Sequence, residues 1–305
     1  MKSVKNQNEF SFNLFGGQSW YIIANDNAKL FTKTFAGIMG LSESFTCCSK
    51  KMVIIRSFSG NVPSQELLSE AKKIINLPGD KWVFIDEGFA KIWQNTETLD
   101  TICDIGTEGP YEVEIFKMSY LLYPFYSRAI NSGGLPFHCA LIEKNGHGIL
   151  LAANGQTGKS TCCRRISPPW HPLCDDEALI VCDAEKNYHA HPFPTWSNFL
   201  LHKPGHTWDA QSHVPVEAIF FLEQASSDKV IPLLQGTAAT EIFTFAMQAG
   251  GRLFYNLEDS EKARIRKQMF NNACDISRKI RSYRLSVSLT GKFWEEIEKV
   301  LPDIS

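Results

Sequence analysis

The chain has no apolar run approaching the roughly 20 residues that a bilayer-spanning helix requires. Its first residues, Met1-Lys-Ser-Val-Lys-Asn-Gln-Asn-Glu9, are polar with no apolar stretch behind them. A cytoplasmic protein with no membrane partner is therefore expected. There is also no excess of charge, since 31 Lys and Arg stand against 33 Asp and Glu for a net −2. The electrostatic footprint of a nucleic-acid-binding protein is missing, and nucleic acid is not an expected partner. The nine cysteines are odd in number, include the adjacent pairs Cys47-Cys48 and Cys162-Cys163, and form no C-x-x-C spacing. That excludes a regular disulfide framework and leaves reduced, mostly buried thiols as the expectation. No internal repeat or low-complexity tract is present, so neither a solenoid nor a disordered tail is indicated.

What is present is an ordinary globular composition, 44% hydrophobic and 21% charged over 305 residues, with ample material for a core. Strand and helix patterns alternate, which makes the fold class α/β. Phe10–Leu14 and Trp20–Ile23 read as paired strands, Ala28–Met39 as a helix, Met52–Arg56 as a strand and Ser64–Ile75 as a helix. Lys81–Ile85 and Phe89–Trp93 read as a hairpin turned at Asp86-Glu87-Gly88. Glu112 to about Ile130 carries one apolar stripe and reads as a helix that Pro124 kinks or splits. A boundary before it divides a small α/β unit, 1–111, from a larger one, 112–305. The larger unit then runs strand (Phe137–Ile142), turn, strand, loop, helix, and a strand pair around Asp175–Cys182 and Tyr188–His191. Beyond these come a strand at Val216–Leu222, helices near Ala238–Ala249 and Asp259–Arg281, a strand at Tyr283–Leu289 and a terminal helix at Lys292–Leu301.

The most informative segment is Gly148-Ile-Leu-Leu-Ala-Ala-Asn-Gly-Gln-Thr-Gly-Lys-Ser-Thr161, an apolar strand entering a small-residue loop that ends in Gly158-Lys159-Ser160. This is the local pattern of a phosphate-binding loop. Backbone N–H groups across Asn154, Gly155, Gln156, Thr157 and Gly158, and at the start of the next helix through Thr161, wrap a phosphate. Lys159 pairs with β/γ oxygens, and Ser160 holds Mg²⁺. ATP or another nucleoside triphosphate is the natural guest. The full consensus places a glycine five residues before Gly158, where this chain has Ala153. The plain alternative is a strand-turn-helix corner.

Leu173-Cys-Asp175-Asp176-Glu177 is the second informative feature, a carboxylate doublet opening a strand. Phosphoryl transfer needs one acid to hold the metal and one base to orient an acceptor hydroxyl; a solvated turn is the ordinary alternative. His138 stands at the start of an apolar strand, where a lone histidine is usually a satisfied core residue. His189 and His191 alternate on a strand and, with Cys174 or Cys182, would supply metal-ligand types, although histidines on a half-exposed strand are the commoner case. Pro194-Thr195-Trp196-Ser197 reads either as a surface for an acceptor peptide or as a core tryptophan with its flanks. Arg264, Arg266, Lys267, Arg278, Lys279 and Arg281 read as a solvated helix face.

His138, the loop and the Asp doublet, in this order and at separations of 21 and 16 residues about Lys159, resemble the catalytic domain of bacterial HPr kinase/phosphorylase. The chain is more closely similar to the HPr-kinase-related proteins of peptide-modification cassettes, the SynChlorMet cassette protein C family, and more distantly to the kinases of lasso-peptide pathways. The phrases Pro169-Trp-His-Pro-Leu-Cys-Asp-Asp-Glu177, His191-Pro-Phe-Pro-Thr-Trp-Ser197 and Tyr283-Arg-Leu-Ser-Val-Ser-Leu-Thr-Gly-Lys-Phe-Trp-Glu-Glu296 carry that similarity.

The resemblance implies an HPr-kinase-like P-loop domain preceded by a smaller α/β domain. It implies Lys159 on the β/γ-phosphates, Ser160 on Mg²⁺ with Asp176 assisting, Asp175 as base on the acceptor hydroxyl and His138 supporting the transferring phosphate. It also implies a peptide or small-protein acceptor and, by analogy with the parent family, a homo-oligomer. The parent loop has glycines where this chain has Ala153 and Gln156, and the glutamate completing the parent metal site has no counterpart, Glu177 being adjacent but out of place. The expected function is transfer of a nucleotide γ-phosphate to a serine or threonine hydroxyl in a peptide-maturation pathway. The rival is a non-catalytic scaffold that binds nucleotide or precursor peptide. A nucleotide hydrolase lacks a residue to orient the attacking water.

Overall fold

A computed structural model of the chain describes residues 9–43, 50–57, 64–74, 77, 79–86, 88–155, 157–203, 207–254 and 256–302. Cys47, Cys48, Glu87 and Gln156, each used in a sequence-based reading above, lie outside these. In chain order the elements are β1 (Glu9–Leu14), β2 (Gln18–Ala24), α1 (Lys29–Met39), β3 (Ser42–Glu43), β4 (Lys50–Ile55), α2 (Ser64–Ile74), β5 (Trp82–Asp86), β6 (Lys91–Asn95), β7 (Thr101–Asp104) and α3 (Tyr111–Tyr120). There follow α4 (Tyr123–Asn131), β8 (Leu135–Phe137), β9 (Cys139–Lys144), β10 (His147–Ala152), α5 (Lys159–Arg165), β11 (His171–Cys174), β12 (Glu177–Cys182), β13 (Tyr188–Phe193) and α6 (Trp196–Leu200). Last come β14 (Val214–Gln224), β15 (Lys229–Pro232), α7 (Gln235–Gly250), α8 (Asp259–Lys279), β16 (Arg281–Val287) and α9 (Phe293–Val300). The class is mixed α/β, built on two sheets.

The chain divides into two compact units that are discontinuous in sequence. The first comprises Met1–Phe125, Trp196–Thr207 and Leu253–Glu258; the second comprises Tyr126–Thr195, Trp208–Arg252 and Asp259–Ser305. The first holds a seven-stranded sheet of order β3-β1-β2-β4-β7-β6-β5. β2, β4 and β7 run parallel at its centre, and their alternation of Val53, Ile55 and Ile102 with Leu67 and Ala71 of α2 forms a dry core. The expected hairpin is β5–β6, antiparallel from Trp82↔Asn95 to Asp86↔Lys91.

The second unit holds a nine-stranded sheet in which β11-β9-β10-β14-β13-β12-β8 are successive neighbours and β16 pairs with both β14 and β15. β14 is parallel to β10 on one side and to β16 on the other. Ala218-Ile-Phe-Phe221 is accordingly buried on both faces, as the unbroken apolar run requires. α9 closes one face with Phe293, Ile297 and the following Leu301, packed among Ile149, Leu151, Phe220 and Leu285.

Two sequence expectations change in detail. The predicted helix over Glu112–Ile130 is two helices, and Pro124 lies in the first turn of α4, where a missing N–H leaves no hydrogen bond unmade. The predicted strand over Phe137–Ile142 is interrupted at His138, because β8 pairs with β12 whereas β9 pairs with β10 and β11. The chain changes partners at that residue.

Candidate functional site

Strand register accounts for the site. β10 and β9 end their ladder at Ala152↔Cys139, so one step further sets Ala153 against His138. β8 and β12 pair at Phe137↔Ala178, which carries His138 toward the Asp175-Asp176 bend that precedes β12. β12 and β13 end at Glu177↔Phe193, and continuing that register sets Asp175 against Thr195. Three ladders thus run out together, at the carboxyl end of β10, a strand antiparallel to β9 and parallel to β14. In α/β sheets the crevice beyond such strand ends is where ligands bind.

Lys159 opens α5 and is only 7% exposed. Its Nζ donates to the Ala153 carbonyl at 2.7 Å and lies 2.8 Å from His138 Nε2. An ammonium has no lone pair, so with Lys159 charged the imidazole Nε2 accepts and the ring proton sits on Nδ1. That nitrogen faces Asp176 Oδ1 at 3.5 Å. The His138 backbone is fixed as well, its N–H donating to Phe245 O at 3.2 Å, while the Cys139 N–H donates to Asp176 O at 3.1 Å.

Burial lowers the titration range of Lys159, and the charges of Asp176 and then Asp175 oppose that shift. Burial and the Lys159 charge lower His138, against the pull of Asp176. A neutral imidazole beside a cation is the consistent state at neutral pH. Beneath the site, burial raises the thiols of Cys139, Cys163 and Cys174, the last to about 12, so the site's floor is uncharged.

The remaining predicted residues fall as follows. The Asn154 side chain accepts from Gln248 Nε2 at 3.1 Å, and the Thr157 carbonyl accepts from Gln224 Nε2 at 3.4 Å. Gly155 is exposed, and Gly158 adopts φ 116°, a conformation that excludes other side chains. A methyl group built on either glycine meets no atom within 4 Å beyond its chain neighbours. Ser160 and Thr161 are half-buried in the first turn of α5, with Thr161 Oγ1 accepting from Arg164 at 3.2 Å. Asp175 accepts from Thr195 Oγ1 at 2.6 Å. The structure therefore links His138, Lys159 and Asp176 through direct contacts, and Asp175 joins them through its field on Lys159.

Gln224, Gln248, Trp208 and the Phe245 carbonyl are neighbours that sequence reasoning missed, and Thr195, read there only as part of a peptide surface or a core segment, is a partner of Asp175. Each lies far along the chain from the loop, and no spacing rule marks them.

Other candidates resolve differently. His189 Nδ1 lies 3.0 Å from His213 Nδ1, and His191, fully buried, bonds the Ala210 carbonyl. Among the described residues no group of three His, Cys, Asp or Glu side chains is arranged to hold a metal. Thr195 and Trp196 are 7% and 5% exposed, which favours the core reading of that segment over a peptide-contacting surface. On α8, Arg264 and Arg278 pair with Glu261 and Asp275 one turn earlier, as a solvated face does.

The fold and site describe a mixed α/β protein with a lysine-bearing loop at the end of its central parallel strands. The chain belongs to the family described as SynChlorMet cassette protein ScmC, whose sequence profile matches residues 101–302. That match contains every residue of the candidate site. No curated protein matches the chain. Among the described residues no helix is long and apolar enough to cross a membrane.

Proposed function

We propose that the chain binds a nucleoside triphosphate at the 153–161 loop and transfers its γ-phosphate to a serine or threonine hydroxyl of a peptide or small protein, within a peptide-modification pathway. The observation that carries this reading is the contact of Lys159 with His138, and of His138 with Asp176. A buried cation, a neutral imidazole and a carboxylate converge beside a glycine-containing loop. Desolvation disfavours the Lys159 charge, so a polyphosphate there would restore electrostatic balance. The loop and donor set fit a nucleotide with Mg²⁺, for which Ser160 and Asp176 are the ligands on offer. The metal would neutralise charge between the β- and γ-phosphates.

The chain's own residues would do the rest. Lys159 leaves the Ala153 carbonyl to meet the phosphates. His138, neutral, stays as a donor or acceptor beside the transferring group without adding repulsion to Lys159. Asp175 takes the acceptor hydroxyl's proton. Catalysis on this plan is positioning and charge neutralisation. The family's description as a cassette protein supports a peptide context for the acceptor.

One observation favours the rival scaffold reading. Lys159 already satisfies itself on Ala153 and His138, and two glutamines tie down the loop. Calorimetry of Mg-ATP with the wild type beside Lys159→Ala separates the two. Micromolar binding lost in the variant is expected; a correctly folded wild type that binds no nucleotide would leave the peptide-binding scaffold as the function.

A further inference from the structure

Asp175 is not a free carboxylate. Thr195 Oγ1 lies 2.6 Å from its Oδ1, and Trp208 Nε1 lies 3.3 Å from the same Thr195 oxygen. Chemistry fixes the direction of both bonds. An indole N–H only donates and an ionised carboxylate only accepts, so the threonine hydroxyl receives from Trp208 and gives to Asp175. The result is a one-way relay, and such chains polarise along their length. It is also placed by the fold, since Asp175 and Thr195 face each other one step beyond the end of the β12–β13 ladder. Thr195 is 7% exposed, and its β-branched side chain has few rotamers to choose from.

We infer that Thr195 is a positioning residue for phosphoryl transfer, held by Trp208, and that it fixes one oxygen of Asp175 inward so that the other faces the acceptor hydroxyl. This rests on the reading of Asp175 as base. In the transfer step the bond between the γ-phosphorus and the β,γ-bridging oxygen breaks as the acceptor oxygen bonds phosphorus, and the acceptor proton passes to the outward oxygen of Asp175. Thr195 keeps its own proton throughout and is not phosphorylated.

Two measurements test this separately from the kinase reading. The first is the indole N–H resonance of Trp208 in nitrogen-labelled protein. Asp175→Asn should move it in the wild-type background and leave it unmoved in a Thr195→Val background, because the hydroxyl carries the effect. A resonance that ignores Asp175 in both backgrounds overturns the relay.

The second is transfer from γ-labelled Mg-ATP to a degenerate peptide library with serine or threonine fixed centrally. Thr195→Val should lower turnover roughly 10- to 100-fold, the scale of one hydrogen bond to a charged group, with Mg-ATP affinity unchanged. Thr195→Ser should recover most of the loss and Trp208→Phe should show part of it. Wild-type turnover in Thr195→Val, with Asp175→Asn inactive, overturns the positioning role while sparing the base. Phosphate recovered on Thr195 overturns it too, by making that hydroxyl the acceptor. If Asp175→Asn transfers as well as wild type, Asp175 is not the base and the positioning role falls with that assignment, while the kinase reading stands.

Discussion

Asn154, Lys159, Thr161 and Asp175 are each held by a partner that a single substitution removes. Asp175→Asn keeps shape and the Thr195 contact but cannot take a proton, so it should abolish transfer to the peptide library while calorimetry finds Mg-ATP affinity within about two-fold of wild type. His191 gives a prediction independent of function. Its buried ring titrates at about 3, lowered first by burial and then by His213 and His189, against the opposing bond to Ala210. An unfolded histidine titrates near 6.5. Between those values the unfolded chain binds the extra proton, so this contribution is intact above about pH 6.5 and is lost as pH falls toward 3. Burial also lowers His189 and His213, which act in the same direction. Urea midpoints should therefore fall between about pH 7.5 and about pH 5, and fall less in His191→Gln, which removes the titration.

The residues named from the sequence as site members are those whose types are informative in themselves: a lysine after glycine, a carboxylate doublet, a histidine at a fixed separation. Thr195 was noticed only as part of a peptide surface or core segment, and Trp208 not at all, because a threonine and a tryptophan carry no such signature. The β12–β13 register brings Thr195 to Asp175, and Trp208 reaches the pair through the Thr195 hydroxyl.

Elements in the second unit are joined by buried polar ties as well as by apolar packing. Asn272 of α8 is 2% exposed, and its amide donates to the Ile130 and Gly134 carbonyls at 2.7 and 2.9 Å. Those carbonyls lie at and just beyond the C-terminal end of α4, where backbone acceptors lose their helical partners. The Ile130 carbonyl also accepts from the Gly133 N–H at 3.2 Å, so Asn272→Ala should cost roughly 1–3 kcal/mol of unfolding free energy, chiefly by taking the amide donor from Gly134, measured by urea titration. Gly134→Ala tests the same junction from the other side. An added methyl would overlap the Ile180 carbonyl oxygen of β12, so a lowered melting temperature is expected and a wild-type value would contradict this packing.

Strands and helices were legible where the period was clean, as in β1, β2, α1, β10 and α7. β7 was missed because Thr101-Ile-Cys-Asp104, four residues long, alternates too briefly to register. The α3–α4 break was foreseeable from Pro124. The break at His138 was not, because a change of ladder partner leaves no mark on an apolar run.

At the scale of the whole molecule, burial governs the chemistry of six cysteines among the described residues, Cys182 included. Burial raises the thiols of Cys103, Cys139, Cys162, Cys163 and Cys174, Cys162 to about 11. Iodoacetamide at about pH 8 should leave all five unmodified in the native protein and label them once urea is added, as peptide mass spectrometry would show. Any of the five labelling natively would place it nearer solvent than this packing allows. The reduced, buried state was readable from the absence of paired spacing; which thiols floor the site was not.

The discontinuity of the two units also sets an order of events during synthesis. The first unit draws on residues 196–207 and 253–258, so its last segment leaves the ribosome only when most of the second unit has already been made. The usual sequence, in which an amino-terminal domain is complete before its successor emerges, does not describe this chain, although every strand of the first sheet lies within residues 9–104. A nascent chain arrested anywhere before residue 258 holds an amino-terminal unit still lacking part of its own chain.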